Sequence, residues 1–351
     1  LKAHVLESFG QRLKLREDVP TPKPKKGEAL IRVKACGIGL TLSWVRLGRM
    51  GATLPRIIGH EISGVVEETG PSVKTLSRGD SVAVYFYLTC GRCRYCLTDR
   101  ETICENFGGN VGTRIDGGLA EFVSLPESNL FKFSSKKIDY ESASIISDAI
   151  ATPLHIARKR AKISPLDKVM VIGAGGGVGV HMVQMAAFFG AEVYAVDVDE
   201  KKLDLAKRFG ASYAINARKE DVPLEISKLT RAGESESMSA GVDSVIDFVS
   251  SRESIEKGFA SLRAGGKLVL LGHFHPEDPF HLDDPQTIIR KELSILGSRY
   301  ATKQEFREAI ELVERGLIKP VVTHVYDFED ADMALLDVEE GKVAGRAVVR
   351  V

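Results

Sequence analysis

The chain has no surplus of charge of either sign. Its 48 Lys and Arg balance 48 Asp and Glu across 351 residues. That balance excludes the basic field that recruits nucleic acid or anionic lipid, so any phosphate recognition has to be local. Long hydrophobic runs are missing too. The stretch VMVIGAGGGVGV at 169–180 is short and broken by glycine, far from the ~20 apolar residues that span a bilayer. The opening LKAHVLESFGQRLKL has no basic region followed by an apolar one, so no signal peptide is read and a soluble, cytoplasmic protein is expected. Cysteine is scarce, at five residues. What is present is ordinary globular composition, 44% apolar and 27% charged, which excludes disorder and collagen-like structure. The length is about twice that of a usual single domain of roughly 100–200 residues, which predicts two domains.

The few cysteines are grouped. Cys90, Cys93, Cys96 and Cys104 spell C-x2-C-x2-C-x7-C, which lets four thiolates converge on one tetrahedral ion without help from distant chain. The alternative is a disulfide knot, but that belongs to small, oxidised, secreted domains. Zinc is therefore the expected occupant. Four cysteines close its coordination shell, so the site is expected to be structural, stapling a surface lobe.

Residues 1–149 read as short apolar runs, at 29–35, 63–69, 81–88 and 120–126, separated by Gly, Pro and Asp; this rhythm predicts an all-β, barrel-like region. Near 165 the rhythm changes. Strand-like 169–172 leads into a helix from about 178 to 189, then a strand at 192–197 and a helix at 200–209. Further apolar runs at 213–215, 243–248, 267–271 and 293–297 complete six strands in β-α alternation, the pattern of a doubly wound parallel sheet. The polar stretch 231–241 reads as a solvated loop. After 298, Thr302 and Glu305 form a capping box that opens a helix stopping near Gly316. The closing runs VVTHV and GRAVVRV read as strands that could rejoin the N-terminal region, making it discontinuous.

The strand at 169–172 runs into Gly173, Ala174, Gly175, Gly176, Gly177, Val178 and Gly179 before the helix. A dinucleotide pyrophosphate would rest there on backbone N–H groups at the helix N-terminus. The spacing is not strictly G-x-G-x-x-G: counting from Gly173 puts Val178 in the third glycine position, and counting from Ala174 gives A-x-G-x-x-G with Gly176 and Gly179 in place. Asp197 follows at the end of the next strand, where a carboxylate accepts from the adenosine ribose hydroxyls and repels the 2′-phosphate of NADP. NAD(H) is thus expected in preference to NADP(H), with Lys202 as a further ribose contact. The competing reading of Asp197 is a helix N-cap.

A cysteine lobe some seventy residues before a Rossmann half, together with Gly59-His60-Glu61 in an N-terminal β region, resembles the medium-chain dehydrogenase/reductase superfamily, in its zinc alcohol dehydrogenase branch. The resemblance covers essentially the whole chain. It implies an α/β protein with a GroES-like β-barrel catalytic domain over 1–149, a Rossmann cofactor domain over 150–297, and a return segment, 298–351, that completes the catalytic domain. It implies a homodimer or homotetramer. In that family a catalytic zinc is held by a cysteine, the His of G-H-E and a second cysteine; here those cysteine positions hold Gly39 and Asp148.

His60, Glu61 and Asp148 would still supply one imidazole and two negative charges, a three-ligand set that leaves an open position for substrate. Against this, Glu61 commonly pairs in the family with a C-terminal arginine, matched here by Arg346, and Asp148 can be a polar hinge residue. Cys36 is three residues away from the ligand position, and a buried lone cysteine is its ordinary reading. Thr41 matches the hydroxyl that passes the substrate proton, and Thr152 a residue lining the nicotinamide. Trp44 stands where a relaying histidine is often found; it cannot relay a proton and either walls a pocket or fills core. His273 and His275 read as solvent-facing loop histidines.

The leading expectation is an NAD(H)-linked oxidoreductase that interconverts an alcohol and a ketone or aldehyde. If the catalytic zinc is absent, reduction of an activated C=C bond in an enone or enoyl-thioester is the alternative, and the run 301–322 also resembles archaeal acryloyl-CoA reductases. A third reading is a non-enzymatic nicotinamide-binding protein.

Overall fold

The computed structural model describes residues 1–231, 240–272 and 285–351. The chain forms two compact units, Leu1–Ala151 with Ala301–Val351, and Thr152–Tyr300, the second inserted between the two parts of the first.

The inserted unit carries a six-stranded parallel sheet. Its spatial order is Tyr213–Asn216, Glu192–Asp197, Lys168–Ile172, Val242–Asp247, Leu262–Leu270 and Ser294–Gly297. Its central strands are buried on both faces, which is why they read as unbroken apolar runs: every residue from Val169 to Ile172 and from Val193 to Asp197 is buried. One layer of core joins Met170, Tyr194, Val196, Ile215 and Leu268. The helices Gly179–Phe188 and Glu200–Arg208 lie within a residue or two of their expected bounds. Most of the polar stretch expected as a loop, and His273, His275 and His281, lie outside the described residues.

In the first unit, strand Glu28–Ile38 pairs antiparallel with Glu61–Thr69, Phe122–Pro126 and Arg346–Arg350, inside a seven-stranded sheet that ends on Val322–Tyr326 at one side and Leu130–Lys132 at the other. The C-terminal strands thus do rejoin the N-terminal region. Ahead of these strands in the chain, helix Lys303–Glu314 opens on the expected capping box: Glu305 N–H donates to Thr302 Oγ1 at 3.3 Å and Thr302 N–H to Glu305 Oε2 at 2.9 Å. Its Phe306, Ala309, Ile310 and Val313 form the buried stripe. The run expected as strand at 81–88 pairs only over Ser81–Val84. Tyr85 N–H turns instead to the Asn129 carbonyl at 2.8 Å, and the Asn129 amide reaches the Tyr87 carbonyl at 2.8 Å, so the aromatic half of the run is buried as irregular chain.

Candidate functional site

Three groups of side chains carry the chemistry. The first is the cysteine lobe. Cys90, Cys93, Cys96 and Cys104 bring their sulfurs within 4.8 Å of one another, and none forms a disulfide. The S···S separations are 3.5 Å (90–104), 3.6 Å (93–96) and 3.9 Å (90–96 and 93–104). Four sulfurs at ~2.3 Å from a tetrahedral ion stand about 3.8 Å apart, so the donor set is already spaced for zinc. Backbone N–H groups, that of Arg92 above all, pull the Cys90 thiol down to about 6, toward the thiolate a metal requires. The lobe is tied to the return segment by buried Glu101, which accepts from the Lys303 N–H at 2.6 Å.

The second group is the glycine loop. Parallel pairing sets Val196 beside Ile172, so Asp197 arrives next to Gly173. Its Oδ2 accepts the Gly175 N–H at 3.0 Å and its Oδ1 the Val198 N–H at 2.8 Å, which leaves each oxygen a further acceptor direction. The N-cap of the following helix is Asp199, which accepts from Lys201 and Lys202, so Asp197 is not consumed as a cap. A Cβ on Gly175 would run into Lys202, and one on Gly179 into the Gly173 carbonyl. Both glycines are needed for this close packing, with Gly176, Gly177 and Val178 between them leading into the helix at Gly179. The free N–H groups of a helix's first turn suit a pyrophosphate, so loop and acid together fit a dinucleotide.

The third group is a buried ionic cluster in the first unit. Gly59, at φ +102°, turns the chain sharply so that His60 and Glu61 enter the sheet. All four cluster members are nearly sealed: Glu61 is 0% exposed, Asp148 3%, His60 5% and Arg346 5%. His60 Nε2 lies 3.3 Å from Asp148 Oδ2, and the ring packs edge-on to Phe86 at 4.7 Å. Glu61 Oε2 accepts from Arg346 Nε at 2.8 Å and pairs with Nη2 at 2.7 Å, while Oε1 accepts the Ala149 N–H at 3.2 Å. Arg346 Nη2 also lies 3.5 Å from Asp148 Oδ2. Burial pushes the Glu61 carboxyl above its ordinary range, and the Arg346 guanidinium opposes that push. Asp148 and Ala149 sit in a π-helical turn, Ile146–Ile150, a local widening found often at functional sites.

Of the three donors expected for a catalytic zinc, the geometry therefore brings His60 and Asp148 together and turns Glu61 onto Arg346. Among the described residues, only the four cysteines form a set of three or more candidate ligand atoms within 4.8 Å. Cys36 is fully buried and burial raises its thiol, so it is inert packing. Sequence reasoning missed how the Glu61–Arg346 pair is housed. Gly37 lies near the end of strand Glu28–Ile38 and Gly39 just beyond it, and a Cβ at Gly37 would meet Glu61 while one at Gly39 would lie 2.5 Å from both Arg346 Nη atoms. Glycine inside a strand end, as at Gly37, signals such close approach.

Thr41 lies half-buried in the first turn of helix Leu40–Arg46, whose N-cap is Gly39. Trp44, in the same helix, is half-buried with Arg49 stacked over its ring at 4.6 Å. Thr152 is buried in the inserted unit, at the start of its helix Ala151–His155. No helix among the described residues is long and apolar enough to cross a membrane.

Comparison with known proteins covers the full chain. Residues 25–135 match the alcohol dehydrogenase GroES-like domain, and residues 177–315 match the zinc-binding dehydrogenase family. An NAD-dependent alcohol dehydrogenase of Sulfurisphaera tokodaii is 34% identical over 99% of this chain and 99% of its own length. A crystal structure of an NAD-dependent alcohol dehydrogenase superposes with a TM-score of 0.90 at 32% identity, covering 100% of both chains. A cobalt- and zinc-bound thermostable alcohol dehydrogenase from Pyrobaculum aerophilum superposes with a TM-score of 0.87 at 31% identity, over 100% of this chain and 99% of that one. The glycine-loop sheet, the cysteine lobe and the full-length relatives agree: the chain belongs to the zinc-containing alcohol dehydrogenase family of medium-chain dehydrogenases/reductases.

Proposed function

We propose that this family member transfers hydride between NAD(H) and the carbinol or carbonyl carbon of a small molecule, interconverting an alcohol and a ketone or aldehyde. The observation that carries the reading is the Asp197 carboxylate, held beside the glycine loop with acceptor capacity to spare. Its negative charge favours ribose hydroxyls and opposes a 2′-phosphate, which matches NAD in the name of the Sulfurisphaera relative. Bound nicotinamide supplies or accepts the hydride. The chain's own residues would do the rest: the N–H groups of Gly177, Val178 and Gly179 at the helix start would hold the pyrophosphate, Asp197 and Lys202 the ribose, and Thr152 would border the nicotinamide. Thr41 gives or takes the proton of the substrate oxygen. The cysteine lobe contributes structure only.

A second reading has one specific observation behind it. Neither thiolate of the family's catalytic metal set is present, at Gly39 or Asp148, and a hydroxyl donor such as Thr41 suffices for the charge that develops on a carbonyl oxygen during reduction of a conjugated C=C bond. Calorimetric titration with NADH and NADPH, followed by NADH oxidation rates with ketones, aldehydes, enones and enoyl-thioesters, separates the readings. Turnover of ketones or aldehydes with NADH is expected. Turnover of enoyl substrates alone selects the second reading, and failure to bind either nucleotide removes both.

A further inference from the structure

We infer that the place the family gives to a catalytic zinc is held in this chain by the Arg346 guanidinium, so that His60, Asp148, Arg346 and Glu61 form a metal-free ionic cluster and the protein binds one zinc per chain, in the cysteine lobe. Strand register brings the arginine there. Ala347 pairs with Ile38, so Arg346 stands opposite Gly39, the position where the family's first thiolate belongs. With no side chain at that position, the guanidinium occupies its space: a Cβ would lie 2.5 Å from Nη1 and Nη2 and 2.6 Å from Cζ.

The arginine also takes up the charge that a metal would need. Nε and Nη2 bind Glu61 Oε2 at 2.8 and 2.7 Å, and Nη2 reaches Asp148 Oδ2 at 3.5 Å. Glu61 Oε1 is engaged by the Ala149 N–H. Asp148 Oδ2, the oxygen that would ligate alongside His60 Nε2, is therefore shared between an imidazole and a guanidinium. A guanidinium cannot give up its proton, so this positive charge is permanent, and a divalent ion entering beside it would have to share two carboxylates with a fixed cation. The remaining donors are harder than the missing thiolates and suit zinc less well. Donor type, donor direction and charge all disagree with a zinc site here. The inference concerns metal content and stands whichever substrate the protein takes.

Elemental analysis of the purified full chain, dialysed against excess zinc and then against metal-free buffer, is expected to give one zinc per chain. Cobalt-substituted protein should show sulfur-to-cobalt charge-transfer absorption from one thiolate site and no second equivalent. Two equivalents in the wild type would overturn the inference. Arg346→Met removes the cation while keeping most of the side chain's volume, and it frees His60, Glu61 and Asp148 to ligate. This variant, if its near-ultraviolet circular dichroism is native, should rise from one to two zinc equivalents. A folded variant that stays at one equivalent would show that the arginine does not hold the metal's place. If the variant does not fold, the wild-type stoichiometry and cobalt spectrum decide alone. Nucleotide binding is measured separately, so failure of the cofactor reading leaves this result intact.

Discussion

Adding a single methyl group at Gly39 sets two opposing effects against each other. Gly39 has φ −131° and ψ 168°, a conformation open to any residue, so Gly39→Ala on backbone grounds alone should stabilise by about 0.4–1 kcal/mol. The new Cβ would, however, lie 2.5 Å from both Nη atoms of Arg346. Carbon contacts are comfortable only at about 3.5–4.0 Å, so the guanidinium has to retreat by roughly 1 Å. That stretches the Nη2–Glu61 ion pair from 2.7 Å and strains the Nε–Glu61 hydrogen bond of 2.8 Å, in a cluster where Glu61 has no exposure to water. Complete loss of one partner of a buried pair costs about 3–5 kcal/mol; a partial retreat should cost about half of that. The net expectation is destabilisation by roughly 0.5–2 kcal/mol, with the ion pair outweighing the backbone gain. At the ~2–4 °C per kcal/mol usual for units of this size, the melting point of the first unit should fall by roughly 1–8 °C. Trp44, the only tryptophan, lies in the helix that begins beside Gly39, so its fluorescence reports this unit selectively during urea or thermal unfolding. Gly297→Ala is the control, since nothing lies within 4 Å of its Cβ position, and it should leave the overall melting curve nearly unchanged. If Gly39→Ala melts at or above the wild type, Arg346 is not confined as described.

Asp197→Ala should weaken NAD(H) binding by roughly 10- to 100-fold, since hydrogen bonds to a charged group are worth about 1.5–3 kcal/mol, and should narrow the gap to NADP(H); calorimetry with both nucleotides checks it, and an unchanged ratio would remove Asp197 from cofactor selection. Cys93→Ser should abolish the lobe's zinc and increase tryptic cleavage near residues 90–104, whereas retained zinc would contradict a four-thiolate site. Thr302→Ala removes a buried capping oxygen and should cost about 1–2 kcal/mol in urea unfolding; no loss would mean that Glu305 alone holds the helix start. Hydrogen bonds from Arg32 hold Glu67 below the usual carboxylate range, so the stability it lends is present above its unfolded pKa and is lost as pH falls through the lower folded value. The urea midpoint should therefore drop on acidification below about pH 4, less steeply in Arg32→Met; identical slopes would remove this pair as a contributor.

The inserted unit was legible because its physics is local. Parallel strands buried on both faces write continuous apolar runs. In the first unit, the Thr302–Glu305 box likewise announces its helix within four residues. The cysteine lobe was legible for the same reason, since its four donors come from one short segment. Elsewhere local signals were too weak. The three-stranded sheet of Ala3–Leu6, Lys14–Arg16 and Arg56–Ile57 uses strands of two to four residues, too short to show a period. The aromatic run 85–88 has strand composition, but Asn129 competes for its backbone. Asp197 could be read as a helix N-cap from sequence, and only backbone geometry assigns that cap to Asp199. In the ionic cluster, the pairing of Glu61 with Arg346 could be read from resemblance. The filling of the space at Gly39 could not, because it depends on the register between two distant strands.

The Glu61–Arg346 pair joins residues 285 positions apart, on either side of an inserted unit. During synthesis at about 5–20 residues per second, Glu61 therefore waits roughly a quarter of a minute to a minute before its cation exists. Until then the central sheet lacks the strand Arg346–Arg350, and a carboxylate destined for complete burial has the Ala149 N–H but no cation to pair with. The first part of this unit to leave the ribosome is thus the last to be finished, because its closing strand is made only after the whole inserted unit.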